Sequence, residues 1–150
     1  MDDAKHNSAG SWAKKFYLAS RAVVEAILRP YDLGSTQWYA MWYLVHQGPL
    51  AQRELQRLLQ VEKPTLSAVV SALVRKGIAD QVTNPKDQRQ RVLQITPAGL
   101  RMWQSLPDPI EIIVKDAFEG ATEDDLATVV RVLRSATERL QSFTNEGKKT

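Results

Sequence analysis

Cysteine is absent from this 150-residue chain. That removes disulfides, thiolate nucleophiles and cysteine-based redox or metal chemistry. Histidine is nearly absent: His6 and His46 are the only two, and His6 stands in a polar N-terminal stretch. There is no H-x-x-x-H spacing and no glycine-rich phosphate loop, so the chain is not expected to be an enzyme, and no metal or cofactor is expected. The acidic run Glu123, Asp124, Asp125 suits the N-terminus of a helix, where negative charge meets the macrodipole, better than a metal site. No apolar run approaches the ~18 residues of a membrane span, and the opening residues MDDAKHNSAG are polar. Neither a membrane segment nor a secretory leader is expected, and the expected location is cytoplasmic.

The chain has the composition of a globular domain, 43% hydrophobic and 25% charged, and its length allows a sizeable core. Net charge is only +3, but it is unevenly spread. Between Leu50 and Trp103 nine Lys or Arg face four acids (Glu54, Glu62, Asp80, Asp87), whereas between Gln104 and Ala127 seven acids face Lys115 alone. A basic middle beside an acidic segment points to one surface that meets a polyanion, with chance clustering on solvated faces as the plainer alternative.

The basic middle has its own grammar. Gln52 to Leu59 reads as a short helix with Leu55, Leu58 and Leu59 apolar, and Gln60 and Val61 turn the chain. Pro64 opens a second helix, where a missing N–H costs nothing. Leu66, Val69, Val70 and Leu73 share one face of that helix, and Gly77 stops it, with Arg75 and Lys76 in the last turn. Ile78 to Val82 and Val92 to Thr96 are β-compatible arms of a two-stranded hairpin around a tip, Asn84 to Arg91, too polar to pack inward. The pattern is mainly α with a small β wing: a winged helix-turn-helix.

On either side the periodicity is helical. Residues 1–10 are expected to be a frayed arm. Ser11 to Arg29 forms a long amphipathic helix ending before Pro30, and Ser35 caps another reaching His46. Thr96 caps a helix with Pro97 first, and Pro107, Asp108 and Pro109 interrupt it. Ile110 to Gly120 resumes the pattern, and Thr122 with Asp125 forms a capping box before the last helix, with Asn145 to Thr150 loose. The first helix, the 110–121 helix and the last helix carry long apolar faces far in sequence from the middle, and a second copy of the chain would bury them; a C₂ homodimer is expected. The expected division is 1–32 as arm and dimerisation helix, 33–99 as DNA-binding lobe, and 100–150 completing the dimerisation region.

A helix-turn-helix sets its second helix in the major groove of double-stranded DNA. The face opposite the apolar one holds Pro64, Ser67, Ala68, Ser71, Ala72 and Arg75, flanked by Thr65. Hydroxyls there exchange hydrogen bonds with base edges, and Ala suits the thymine methyl group. Lys63 and Arg75 bracket the helix as phosphate contacts. At the tip, Lys86, Asp87, Arg89 and Arg91 complete the candidate DNA-binding set, with the Asp87 carboxylate expected to hold the Arg89 guanidinium outward. An arginine in a narrow minor groove reads A·T-rich shape. Surface filler on the helix and a solvated hairpin tip are the alternatives.

QWYAMWYL, QRELQRLL, VEKPTLSAVVSALVRKGIA and NPKDQRQRVLQITPAG, in this order and spacing, resemble the multiple antibiotic resistance regulator (MarR) family over Leu33 to Trp103. The resemblance implies a dimeric winged helix-turn-helix transcription regulator whose terminal helices form the dimer. It further implies a palindromic operator and often a small ligand that releases DNA, which makes a repressor the expected role. The chain departs from the family pattern at Ala68, where Arg is common, and at Ser71 and Ala72, where acidic then basic residues are common. Gln88 replaces one of two wing arginines and Asn84 an Asp, while Asp87 and Arg89 are retained. With little charge on the helix, an A·T-rich site read mainly by the wing is expected.

Tyr39, Tyr43 and His46 fall on one stripe of the second helix, and Trp38, Met41, Trp42 and Val45 on the next. In the resembled family this junction takes phenolic and aromatic acids. Aromatic walls, including Trp12, with a cation such as His46 or Arg21 would hold such a ligand. The same aromatics equally suit a packed core with His46 as a packed or capping residue. A winged helix that serves as a DNA-binding or protein-interaction module without any effector is the competing reading.

Overall fold

A computed structural model describes residues 3–147. The element order is α1 (Asp3–His6), α2 (Ala9–Leu28), a 3₁₀ turn (Arg29–Tyr31), α3 (Ser35–Gln47), β1 (Leu50–Ala51), α4 (Gln52–Leu59), α5 (Lys63–Arg75), β2 (Ala79–Asn84), β3 (Asp87–Ile95), α6 (Pro97–Ser105), α7 (Pro109–Ala117) and α8 (Glu123–Gly147). The chain separates into two compact units, one through Glu111 and one from Ile112.

In the first unit the expected apolar faces are the core. Leu66, Val69, Val70 and Leu73 of α5 are buried together with Leu55 of α4, Trp38, Met41 and Leu44 of α3, Val24 and Leu28 of α2, Ile78 just before the sheet and Leu93 within it. Helix α5 ends in a Schellman motif: Ile78 N–H reaches Leu73 O at 2.9 Å and Gly77 N–H reaches Val74 O at 3.0 Å. Gly77 takes the left-handed conformation this needs, at φ 73°. Thr96 caps α6 as expected, its Oγ1 accepting from Gly99 N–H at 2.9 Å. The same hydroxyl donates to Gly77 O at 2.6 Å, which ties the start of α6 to the end of α5.

Five expectations are corrected. The N-terminal arm folds: α1 precedes α2, Ser8 caps α2, and Trp12 Nε1 donates to Asn7 Oδ1 at 2.8 Å. Gly34, not Ser35, is the N-cap of α3; Ser35 is its first residue and donates its N–H to Glu25 Oε1 at 3.1 Å, so the cap comes from α2. Pro64 is second in α5 because Lys63 already has helical geometry. The wing is a three-stranded antiparallel sheet in the order β1-β3-β2, with Leu50 opposite Leu93 and Ala51 opposite Val92. A two-residue strand has no periodicity of its own to read. The hairpin arms are also longer than expected, so most of the polar tip is strand and only Pro85 and Lys86 turn.

In the second unit the capping box forms in both directions, Asp125 N–H to Thr122 Oγ1 at 3.1 Å and Thr122 N–H to Asp125 Oδ2 at 3.2 Å. Helix α8 runs through Asn145 to Gly147, further than expected, and the rest of the expected loose tail lies outside the described residues. Val129, Val130, Leu133, Leu140 and Phe143 are exposed along α8. No helix among the described residues is long and apolar enough to cross a membrane.

Candidate nucleic-acid interface

Once its inner face is committed to the core, α5 has one surface left. Lys63, Pro64, Thr65, Ser67, Ala68, Ser71 and Arg75 are all exposed on it. Ala72, expected on this face, is instead 7% exposed and belongs to the core, while Val74 is exposed. Glu62, the N-cap, makes no side-chain cap hydrogen bond. The first-turn N–H groups therefore point out of the helix end, a geometry suited to a phosphate oxygen.

The wing brings the second set together. Lys86, Asp87, Arg89 and Arg91 are exposed on and beside the turn. Asn84 builds that turn: its Oδ1 accepts from Lys86 N–H at 2.9 Å, and its Nδ2 donates across the hairpin to Gln90 Oε1 at 2.7 Å. Asp87 does not hold the Arg89 guanidinium as expected. Its Oδ1 accepts from the Arg89 backbone N–H at 3.0 Å, and no ion pair joins the two side chains among the described residues. The carboxylate fixes the strand, and the arginine side chain extends from a backbone already held.

The aromatic residues do not keep the two expected stripes. Trp38 is core, 2% exposed. Trp42 stacks on His46 with ring centroids 4.3 Å apart, and His46 Nδ1 lies 2.8 Å from Trp42 O. Trp103 of α6, not anticipated, meets Trp38 at 5.3 Å and His46 at 6.3 Å. Tyr43 donates to Leu58 O at 3.5 Å. Burial raises the Tyr39 phenol pKa, with smaller contributions from Tyr17 and Tyr43 nearby. Trp12 stands apart from this group: Lys15 Nζ sits 4.7 Å above its ring, and Arg21 lies nine residues, roughly 13 Å, further along α2. Trp42 also meets Tyr43 at 5.2 Å and Trp38 meets Tyr39 at 5.1 Å, so ring contacts link Tyr39, Tyr43, Trp42, His46 and Trp103 in one group without adding Trp12.

The model of the MarR family matches residues 31–90. The chain is 23% identical to the HTH-type transcriptional repressor IacR of Pseudomonas putida, over 95% of this chain and 100% of that one. Its fold is similar to that of a mutant MarR from E. coli complexed with operator DNA, with TM-score 0.73 and 20% identity over 85% of this chain and 91% of that one. It is similar again to Bordetella bronchiseptica BpsR, whose DNA binding is regulated by 6-hydroxynicotinic acid, with TM-score 0.78 and 18% identity over 88% and 94%. With the helix-turn-helix, the capped α6 and the three-stranded wing all in place, the chain has the fold of the winged helix-turn-helix proteins it resembles, and its residues 31–90 match the MarR family.

Proposed function

We propose that the chain is a transcriptional regulator, a repressor, that binds a palindromic, A·T-rich operator as a homodimer. The observation that carries this reading is the division of α5: five apolar residues, Ala72 among them, buried on one side, and seven small, hydroxyl or cationic residues exposed on the other, next to a basic wing. Helix α5 enters the major groove, where Thr65, Ser67 and Ser71 meet base edges and Ala68 meets a thymine methyl. Lys63 and Arg75 neutralise phosphates. The wing lays Lys86, Arg89 and Arg91 along the minor groove, where Arg89 reads width rather than base identity. The exposed apolar residues of α2 (Phe16, Tyr17, Val23) and of α8 (Val129, Leu133, Leu140) are the surfaces that a second copy covers, and residues 33–99 form the lobe it positions.

A small aromatic acid is the effector that the half-exposed aromatics favour. Tyr39 and Trp42 are 38% and 37% exposed although both stand on the helix that carries the core. Such a ligand releases DNA only if it binds better to the dimer whose α5 helices are wrongly spaced for successive major grooves.

Selection of duplexes from random DNA, followed by binding at several salt concentrations, tests the function. Selected sites with two-fold symmetry and a steep fall in affinity with salt are expected. No duplex binding, or salt-insensitive binding, would leave the fold as a protein-interaction module.

A further inference from the structure

Lys76 is the C-cap of α5, yet its side chain is turned away from that helix end. Its ammonium donates to Asp32 O, to Gln37 Oε1 at 2.9 Å, and lies 3.6 Å from Asp32 Oδ2. The side chain is only 20% exposed, while the Asp32 carboxylate is 95% exposed. Two ammonium protons thus have an acceptor in the corner where α2 gives way to α3, and the nearby carboxylate adds an ion pair. Asp32 is itself held: it is the left-handed residue, φ 55°, that ends the 3₁₀ turn, and its N–H donates to Arg29 O at 3.0 Å. Glu25 of α2 secures the other side of the same corner through Ser35 N–H. No comparable polar link joins the exposed face of α5 to any other element among the described residues.

We propose that Lys76 is a positioning residue, a strut that sets the C-terminal end of α5 against the α2–α3 corner and so fixes the angle at which α5 is presented to DNA. The inference rests on the DNA-binding reading above. A side chain that contacted phosphate would be free and exposed; this one is committed to a backbone carbonyl and an amide 44 and 39 residues away in sequence. The carbonyl is fixed in a turn that α2 feeds directly, so this cation carries a shift of α2 against α3 to the end of α5, alongside the buried apolar contacts. The strut therefore transmits dimer or ligand rearrangements to the reading helix without touching either.

The test uses the full chain with Lys76→Met, Gln37→Leu and the double variant, on the duplex selected by the unmodified protein and on an unrelated duplex. Lys76→Met is expected to weaken binding to the selected duplex about tenfold. Binding to the unrelated duplex and its salt dependence should stay unchanged. Gln37→Leu should act in the same direction, with the double variant no weaker than Lys76→Met alone. A uniform loss on both duplexes, with a salt slope smaller by about one, would make Lys76 a phosphate ligand and overturn the strut. Unchanged operator affinity or additive losses would overturn it as well. Amide hydrogen exchange supplies a readout without DNA: residues 74–78 should exchange faster in Lys76→Met, with α8 unaffected. Unchanged exchange there overturns the proposal. If the unmodified chain binds no duplex, the DNA reading fails by itself and exchange alone decides the strut. Should Lys76→Met fail to fold, Gln37→Leu carries both measurements.

Discussion

The Asp87 carboxylate accepts its hydrogen bond from the backbone N–H of Arg89, at 3.0 Å, two residues along the same strand. A carboxylate used this way stiffens the wing without neutralising the arginine, and the cation is kept for an external anion. Arg89→Ala should therefore weaken binding to A·T-rich duplexes and lower the salt slope by about one, with stability changed by no more than about 0.5 kcal/mol. Asp87→Ala should weaken binding less, because it loosens the backbone and leaves the guanidinium in place. Fluorescence anisotropy across a salt series separates the two, and guanine-anchored sites bound equally well by Arg89→Ala would defeat the wing's assigned role.

The two faces of α5 should part in their response to truncation. Leu73 is fully buried, so Leu73→Ala should cost about 2–5 kcal/mol in urea unfolding. Ser71 is exposed on the opposite face, and Ser71→Ala should leave stability within about 0.5 kcal/mol while altering which duplexes are selected. Equal stability losses at the two positions would show that α5 is not one-sided.

Gly99 has no room for a side chain. A Cβ built there would collide with Ile78 O and lie 2.9 Å from Ile95 Cγ1, where α6 crosses the end of the sheet. The obstacle is backbone held by Thr96, which cannot yield as a flexible side chain would. Gly99→Ala should cost about 3 kcal/mol or more, at the upper end of overpacking. A thermal shift of less than about a degree would mean that α6 moves freely against the sheet.

Hydrogen bonds from Ser35, its hydroxyl first and its backbone N–H as well, hold the Glu25 carboxyl below its ordinary value of 4.5, against partial burial that raises it. A lowered folded-state pKa means stability that is present above the unfolded value and lost as pH falls through the folded one. Glu25→Gln should thus be less stable than the unmodified protein at pH 7, and the gap should close below about pH 4.5. Urea unfolding at several pH values measures it; a gap independent of pH would remove the charge from the account.

Leu140 and Phe143 are 68% and 77% exposed near the end of α8. If a second copy covers them, Leu140→Asp or Phe143→Asp should shift sedimentation from dimer towards monomer and weaken operator binding, since two half-sites then bind independently. Helical content by circular dichroism should persist. A dimer unaffected by either substitution would place the interface elsewhere.

Much of this protein is local, and local features were legible in the chain. The apolar spacing of α5, the Gly77 stop, the Thr96 cap and the reciprocal Thr122–Asp125 box each depend on residues within one or two turns, where periodicity and capping chemistry act directly. The resemblance to the MarR family was readable for the same reason, because its motifs are contiguous. What only the tertiary structure decided depends on partners distant in sequence. Strand β1 exists because β3 offers it an edge, Ala72 is buried by the packing around α5, and Trp103 joins Trp38 and His46 across the α3–α6 packing. Lys76 shows the difference most plainly. As sequence it was one more cation at a helix end; in the fold its charge is committed to a carbonyl 44 residues away, which no local pattern specifies.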